Sequence, residues 1–509
     1  MRRSLPVLRF ALPLWVVAVC AAQTPCERLK SLSLPNTTIT AAESVGAGMF
    51  PAPDRPQAPP VMLPAHCRVA AVLTPSSDSH IEMEVWLPAE NWNGKFEAVG
   101  NGGWAGSIRY VDGPAQAVAK SLSDALQEGY ATASTDTGHK GAQGDASFAL
   151  GHPEKLIDFD SRAVHEMTLR SKAIIAAFYG RGARLSYWNG CSTGGRQGLT
   201  EAQRYPEDFD AILAGAPANY QNHLHAWDMN LGVTNLKDKE HMVPTAKLAL
   251  LNQAVLAACD GLDQVKDGLL TDPRKCHFDP STLVCKGPDG PNCLTAAQVE
   301  TVKTAYATAK TRAGQTIYPG WPLGGELGWT RLTGPEPLGI SRNAFTYVAH
   351  ADAHWDWRTF DLDRDTALID EKAGFLNAVS PDLAAFKARG GKLLQYHGWN
   401  DQLISAENSV NYYSSVLGRM GSKEDDWYRL FMVPGMMHCG GGPGPNQFNA
   451  MGALERWRES GVAPDQITAH HVENNRVTMT RPLCPYPQVA TYKGTGSTND
   501  DANFACKAP

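Results

Sequence analysis

The chain has 509 residues, 43% of them hydrophobic and 19% charged, with a formal charge of −6. This is globular composition with material for more than one ordinary domain. The acidic balance excludes nucleic acid as the principal partner, since phosphate binding needs a basic surface.

The first residues read MRRSLPVLRFALPLWVVAVCAAQTPC. A basic start, a short apolar run and a small-residue site at Ala21-Ala22 predict a cleaved secretory signal over residues 1–22. The run falls short of the roughly 20 residues that span a bilayer, so a secreted or periplasmic protein without stable membrane insertion is expected. Cysteine usage agrees. Of 11 cysteines, Cys20 leaves with the signal, and the remaining even number suits disulfides in an oxidising compartment. No CxxC pair occurs, which disfavours zinc. Spacing suggests the local pairs Cys26–Cys67, Cys259–Cys276, Cys285–Cys293 and Cys484–Cys506, leaving Cys191 and Cys439 over.

Strands then alternate with helices. KFEAVGNGG (95–103) reads as a buried strand entering a glycine loop, GYATASTDTGH (129–139) as a second strand, and RAVHEMTLRSKAIIAAFYG (162–180) as a helix. RLSYWNG (184–190) is strand-like and precedes a helix starting near Gly194; FDAILAGAPA (209–218), GGKLLQYHGWND (390–401) and WYRLFMVPGMMH (427–438) add further strands. The fold class is α/β, a mainly parallel sheet covered on both faces. The rhythm breaks between about 220 and 380, where cysteines, aspartates and tryptophans gather. The expected organisation is a first sheet part over 23–219, an inserted lid over 220–380 and a second sheet part over 381–509. Of Trp227, Trp321, Trp329, Trp355 and Trp357, most are expected in the lid core, with one or two lining a slot for an aromatic group.

Gly190-Cys191-Ser192-Thr193-Gly194 matches G-x-S-x-G. Five residues are a weak signal alone, but a strand before and a helix after supply the sharp turn that lifts a serine Oγ above a sheet. A serine hydroxyl needs a base to take its proton, and the base needs an orienting acid. In this order of elements the acid and then the base follow the serine. His438, in the glycine-rich loop VPGMMHCGGGPGP, is the favoured base, with His397 its rival; Asp401, after the strand at 391–396, is the candidate acid. If Ser192 and His438 meet, Cys191 and Cys439 come close too, and a bridge between them would tie the serine turn to the base loop. The N–H of Thr193, next after the nucleophile, is one oxyanion donor. Asp260, Asp263, Asp267 and Asp272 crowd the segment CDGLDQVKDGLLTDP, which charge alone reads equally as a calcium loop or a solvated acidic loop.

GNGGWAG, GCSTGGRQG, CDGLDQVKDGLLTDPRKC, YHGWND, VPGMMHCGGGPGP and RPLCPYPQVATYKG together resemble the tannase and feruloyl esterase family of secreted α/β-hydrolases, which also contains a mono(2-hydroxyethyl) terephthalate hydrolase. The resemblance covers nearly the whole mature chain. It implies an α/β-hydrolase fold, a catalytic set of Ser192, Asp401 and His438, and a Cys191–Cys439 bond. It further implies a second oxyanion donor at Gly103. A structural calcium in the lid would be held by Asp260, Asp263, Asp267 and the carbonyls of Val265 and Leu269, with no organic cofactor.

The function this implies is a secreted serine esterase that cleaves small aromatic esters, feruloyl or galloyl, through an acyl-enzyme. Terephthalate monoester hydrolysis is the alternative. That activity depends on a lid arginine for the substrate carboxylate, and the loose alignment places Glu336 near that position with Arg342 out of register. A non-catalytic, calcium-stabilised exported binding protein is the contrasting class.

Overall fold

The computed structural model describes residues 23–112, 118–421 and 426–508. Residues 1–22, expected from the sequence to be a cleaved signal, therefore lie outside the described residues. Nine strands form one sheet: β1 Thr37–Val45, β2 His66–Leu73, β3 Ile81–Pro88, β4 Lys95–Val99, β5 Ala131–Thr135, β6 Leu185–Cys191, β7 Ala211–Gly215, β8 Lys392–Gly398 and β9 Tyr428–Val433. Their order is β1-β2-β3-β5-β4-β6-β7-β8-β9. From β5 to β9 every pairing is parallel, whereas β1, β2, β3 and β5 pair antiparallel in succession.

The mainly parallel sheet expected from the sequence is thus present. The antiparallel edge β1–β3 extends it from a stretch to which the sequence reading assigned no strand. Burial explains both patterns. β2 alternates buried and half-buried residues along much of its length, as a sheet edge covered on one face does, while β4 and β7 are buried throughout.

Among the described residues the helices longer than ten residues are α1 Ala163–Tyr179, α2 Thr193–Arg204, α3 Gln221–Asn235, α4 Thr245–Cys259, α5 Ala296–Tyr306, α6 Leu362–Ala373, α7 Ala406–Met420 and α8 Ala450–Ser460. On one sheet face Trp188, Ile212, Leu393 and Leu430 pack with residues of α1 and α7. Their chain neighbours Tyr187, Leu213, Leu394 and Phe431 project to the other face and pack with α8. The period of two along each strand places one apolar set under each helical layer.

Between β7 and β8 the chain adds no strand to this sheet. It builds α3 to α6, several short turns and a two-stranded ribbon, Ala309–Lys310 with Thr316–Tyr318. These share a core that includes Trp227, Leu251, Val302, Trp329 and Ile369, joined by Trp104 from the loop after β4 and Phe159 from the helical turn Asp158–Arg162. Beyond β9 follow α8 and the hairpin of β10 Ile467–Glu473 with β11 Arg476–Leu483. Among the described residues five disulfides cross-link the chain, at Cys26–Cys67, Cys191–Cys439, Cys259–Cys276, Cys285–Cys293 and Cys484–Cys506.

Candidate active site

Ser192 stands between β6 and α2 with φ 65° and ψ −124°. For a residue with a Cβ this backbone costs of order 1–3 kcal/mol and persists only where the surroundings impose it. Here they do. The Ser192 N–H donates to the Gly215 carbonyl at 2.9 Å, and the Ala218 N–H donates to the Ser192 carbonyl at 3.1 Å, so both ends of the residue are fixed at the exit of β7. Glycine is required beside it. A Cβ at Gly190 would lie 2.5 Å from the Gly194 carbonyl carbon, and one at Gly195 would lie 2.4 Å from the Gly215 oxygen.

Thr193 is the first residue of α2, so its N–H has no intrahelical acceptor and sits at the positive end of the helix. The loop after β4 is stitched to this helix start. Thr193 Oγ1 donates to the Gly103 carbonyl at 2.6 Å, and the Gly194 N–H donates to the Asn101 carbonyl at 2.8 Å. Gln197 completes the seam: its Oε1 accepts from the Asn101 N–H at 3.0 Å and its Nε2 donates to Asn101 Oδ1 at 3.0 Å. Gly103 has φ 57°, and a Cβ there would lie 2.2 Å from the Gln143 oxygen, so only glycine fits. Gly103 and Thr193 thereby border one cleft with Ser192 and His438.

Asp401 is buried just past β8. His438 Nδ1 lies 2.7 Å from its Oδ2, while its Oδ1 accepts from the N–H groups of Leu403 at 2.8 Å and Ile404 at 2.9 Å. Burial alone would raise this carboxyl; the charge of His438 and the hydrogen bonds from His397 and His438 outweigh it and hold the group well below the usual carboxylate range. The loops that carry Asp401 and His438 pack directly, since the Asn400 N–H donates to the Met436 carbonyl at 3.0 Å. Gln402 Oε1 accepts from the His438 N–H at 3.1 Å. Cys191 and Cys439 carry the remaining link, with Cα atoms 5.9 Å apart.

The structure separates the two candidate histidines. His438 borders the cleft, whereas His397 is wholly buried and contacts Asp401 at 3.0 Å through Nε2. The sequence reading set His397 as a rival base and missed its contact with the acid. A signal was available in YHGWND, where the two lie four residues apart on either side of a strand end. The roles of Gln197 and Gln402 were missed as well, for amide side chains carry no sequence mark of the partner they will meet.

The cleft has a volume of about 590 Å³. From the segment between β7 and β8 its wall takes Leu224, Leu338 and Ile340, with the polar groups of Gln221, His225 and Asp228. The Ser341 hydroxyl joins the last two, 2.6 Å from Asp228 Oδ2 and 3.0 Å from His225 Nδ1. None of the five tryptophans of this segment borders the cleft, against the expectation that one or two would. Trp227, Trp321 and Trp329 pack on one another instead, with ring centroids 4.8 and 5.0 Å apart. A small segment needs its largest apolar side chains for its own core, and aliphatic residues are left to line the cleft. Arg342 pairs with Glu336, and neither borders the cleft.

Asp260, Asp263 and Asp267 lie on the turn and loop after α4, bracketed by the Cys259–Cys276 bond. Asp263 Oδ1 accepts from the Val265 N–H at 3.0 Å, Asp260 Oδ1 from Gly268 at 3.0 Å and Asp267 Oδ1 from Leu269 at 3.2 Å. Asp267 also pairs with Arg481 of β11 at 2.6 Å. Asp260, Asp263 and Asp267 offer oxygen donors of the kind a hard divalent cation takes, but among the described residues their carboxylate oxygens do not gather within 4.8 Å of one another. Asp272 stands apart, paired with Arg274 at 2.7 Å. Leu269 reaches the base loop: a Cβ at Gly435 would lie 2.5 Å from its Cδ2.

A sequence profile described as tannase and feruloyl esterase matches residues 67–507. An uncharacterized esterase of Xanthomonas campestris pv. campestris is 37% identical, covering 96% of this chain and 92% of its own length. A probable feruloyl esterase B-2 of Aspergillus terreus is 34% identical, with 86% of each chain covered. Among solved structures, feruloyl esterase B from Aspergillus oryzae superposes with TM-score 0.87 at 32% identity, over 95% of this chain and 99% of that one. Tannin acyl hydrolase from Aspergillus niger gives TM-score 0.75 at 23% identity, over 96% and 94%, which shows the shared fold.

Proposed function

The chain belongs to the tannase and feruloyl esterase family, and from that premise we propose that it is an exported serine esterase that cleaves hydroxycinnamoyl or galloyl esters through an acyl-enzyme. The fold is that of the α/β-hydrolases, and the family acts as ester hydrolases on aromatic esters. The observation that carries the finer reading is the buried Asp401 carboxylate, 2.7 Å from Nδ1 of a histidine that shares one cleft with Ser192.

In this reading Asp401 accepts a hydrogen bond from the Nδ1–H of His438, which leaves Nε2 unprotonated to take the Ser192 hydroxyl proton. Ser192 Oγ attacks the ester carbonyl, and the N–H groups of Thr193 and Gly103 receive the negative charge that develops on its oxygen, each such donor contributing about 3 kcal/mol to the barrier reduction. His438 passes its proton to the departing alcohol. Water, deprotonated by the same imidazole, then attacks the acyl carbon; the acyl–Oγ bond breaks, His438 returns the proton to Ser192 Oγ, and the aromatic acid leaves.

The substrate class is supported by the cleft. Its volume of about 590 Å³ suits one aromatic acyl group with its alcohol. The carboxylate of Asp228 can accept from a phenolic hydroxyl and repels a free substrate carboxylate. The Arg342–Glu336 pair leaves that arginine engaged away from the cleft, which further disfavours a terephthalate monoester. Five disulfides support an oxidising compartment, in keeping with export. Calcium, held by Asp260, Asp263, Asp267, Val265 and Leu269, would supply counter-charge to the loop beneath Gly435 and take no part in bond breaking.

A panel of methyl ferulate, methyl gallate and mono-terephthalate esters, together with a serine-directed phosphonate, tests the reading. Turnover of the first two and labelling at Ser192 are expected. A folded protein that neither turns over an aromatic ester nor is labelled there would instead be a binding protein.

A further inference from the structure

His397 lies on β8 with its ring wholly buried. Its Nε2 is 3.0 Å from Asp401 Oδ2 and 3.1 Å from the Ile404 carbonyl oxygen. Both neighbours are acceptors, so Nε2 carries the ring proton. Nδ1 is 2.7 Å from the Ser409 hydroxyl of α7, which can donate to it. A neutral ring therefore satisfies all three partners. The oxygen it reaches is the one His438 also uses: Asp401 Oδ2 sits between two imidazoles, at 2.7 and 3.0 Å.

We propose that His397 is a positioning residue for Asp401, its Nε2–H fixing Oδ2 and taking a share of the charge that His438 would otherwise face alone. This rests on the esterase reading. An oxygen that already accepts one hydrogen bond is a weaker base toward a second donor. Loss of the His397 donor leaves more charge directed at His438 and favours its protonated form. In an esterase of this design the acid limb of kcat/KM reports His438 losing its proton in the free enzyme, so that limb should move to higher pH.

The groups facing Asp401 are few. His438 comes from the base loop, and Ser409 stands behind His397 on α7. Tyr318, on the ribbon between β7 and β8, also senses the Asp401 charge. Burial, with the charges of Asp228 and Asp401, pushes its hydroxyl far above the ordinary range, so it stays neutral near pH 7. Leu403 and Ile404 offer backbone N–H groups.

The test uses the full chain with His397→Leu, His397→Gln and Ser409→Ala, following kcat, KM and kcat/KM against pH on an ester that the parent hydrolyses. His397→Leu should lower kcat by about tenfold with KM little changed, and raise the acid limb by about half a pH unit. The amide of His397→Gln can donate to the same oxygen and should keep the limb at its parental pH. Ser409→Ala, which releases Nδ1 but keeps the packing, should move the limb in the same direction by less. An unmoved limb in a folded His397→Leu, or equal losses in the Leu and Gln variants with unmoved limbs, overturns the proposal. Should His397→Leu fail to fold, the Ser409→Ala limb decides: a rise supports the role and an unmoved limb overturns it. A parent that hydrolyses no aromatic ester and is not labelled at Ser192 refutes the esterase reading itself, whereas an active parent with unmoved limbs refutes only the role of His397.

Discussion

Cys191 and Cys439 are bonded to one another although 248 residues separate them, and each is the chain neighbour of a residue on the cleft, Ser192 or His438. The bond spans from the end of β6 to the glycine-rich loop after β9. It therefore sets the distance between two segments that no shared strand or helix holds in register.

Replacing both cysteines with alanine should leave a soluble, folded protein whose kcat falls at least about tenfold, or about 1.4 kcal/mol in the barrier. The sheet pairings and four other disulfides remain to hold the fold. The stability loss should be less than the roughly 5 kcal/mol that chain entropy assigns to so long a loop. Steady-state kinetics beside thermal melts check this; an unchanged kcat would remove the positional role from the bond.

Ser192→Ala should abolish turnover and phosphonate labelling and leave the melting temperature at or above that of the parent. The strained backbone at φ 65° costs alanine no less, and the hydroxyl that is lost lies on the cleft rather than in the packed core. Substantial esterase activity in the purified variant would place the nucleophile elsewhere.

Glu97 gives the fold a pH dependence away from the site. It sits in β4, fully buried, with Oε1 accepting from Asn189 Nδ2 at 3.0 Å and Oε2 unpartnered among the described residues. Burial, with the charge of Glu128 adding to it, pushes its carboxyl up to about 8. Between the ordinary value of 4.5 and about 8 the folded chain keeps a proton that the unfolded chain releases, so stability falls as pH rises through that window. The slope is at most about 1.4 kcal/mol per pH unit. Glu97→Gln should abolish this decline, matching the parent near the acid end of the window and exceeding it near the alkaline end. Parallel melting profiles for parent and variant across the window would refute the assignment.

Exhaustive chelation should lower the melting temperature by several degrees, with activity declining as the base loop loosens, because Leu269 packs under Gly435 three residues before His438. Asp263→Asn should reproduce the effect and remove the response to chelator. A melting temperature and a bound-calcium content that chelation does not change would leave the aspartates as an acidic loop paired through Asp267 to Arg481.

Whatever depends on a few neighbouring residues could be read without a structure. Strands such as 95–99 and 185–191 announce themselves by short stretches with aromatic and aliphatic residues running into glycine, and the turn at Ser192 by glycines where a Cβ would strike backbone. The cysteine pairs of short span were legible from spacing. The rest depended on contacts between distant segments. The half-buried alternation of β2 becomes a strand signal once a sheet edge exists to cover one of its faces. Whether His397 or His438 meets the cleft depends on which loop crosses the sheet ends, and the sequence gives both histidines the same chemistry. Which aromatic residues the inserted segment spends on its own core is set by packing among its helices, so the cleft wall of Leu224, Leu338 and Ile340 could not be read from composition. Local turn chemistry is fixed by covalent neighbours; contacts across tens or hundreds of residues are chosen by the packing of whole layers, and that information exists only once the chain has closed on itself.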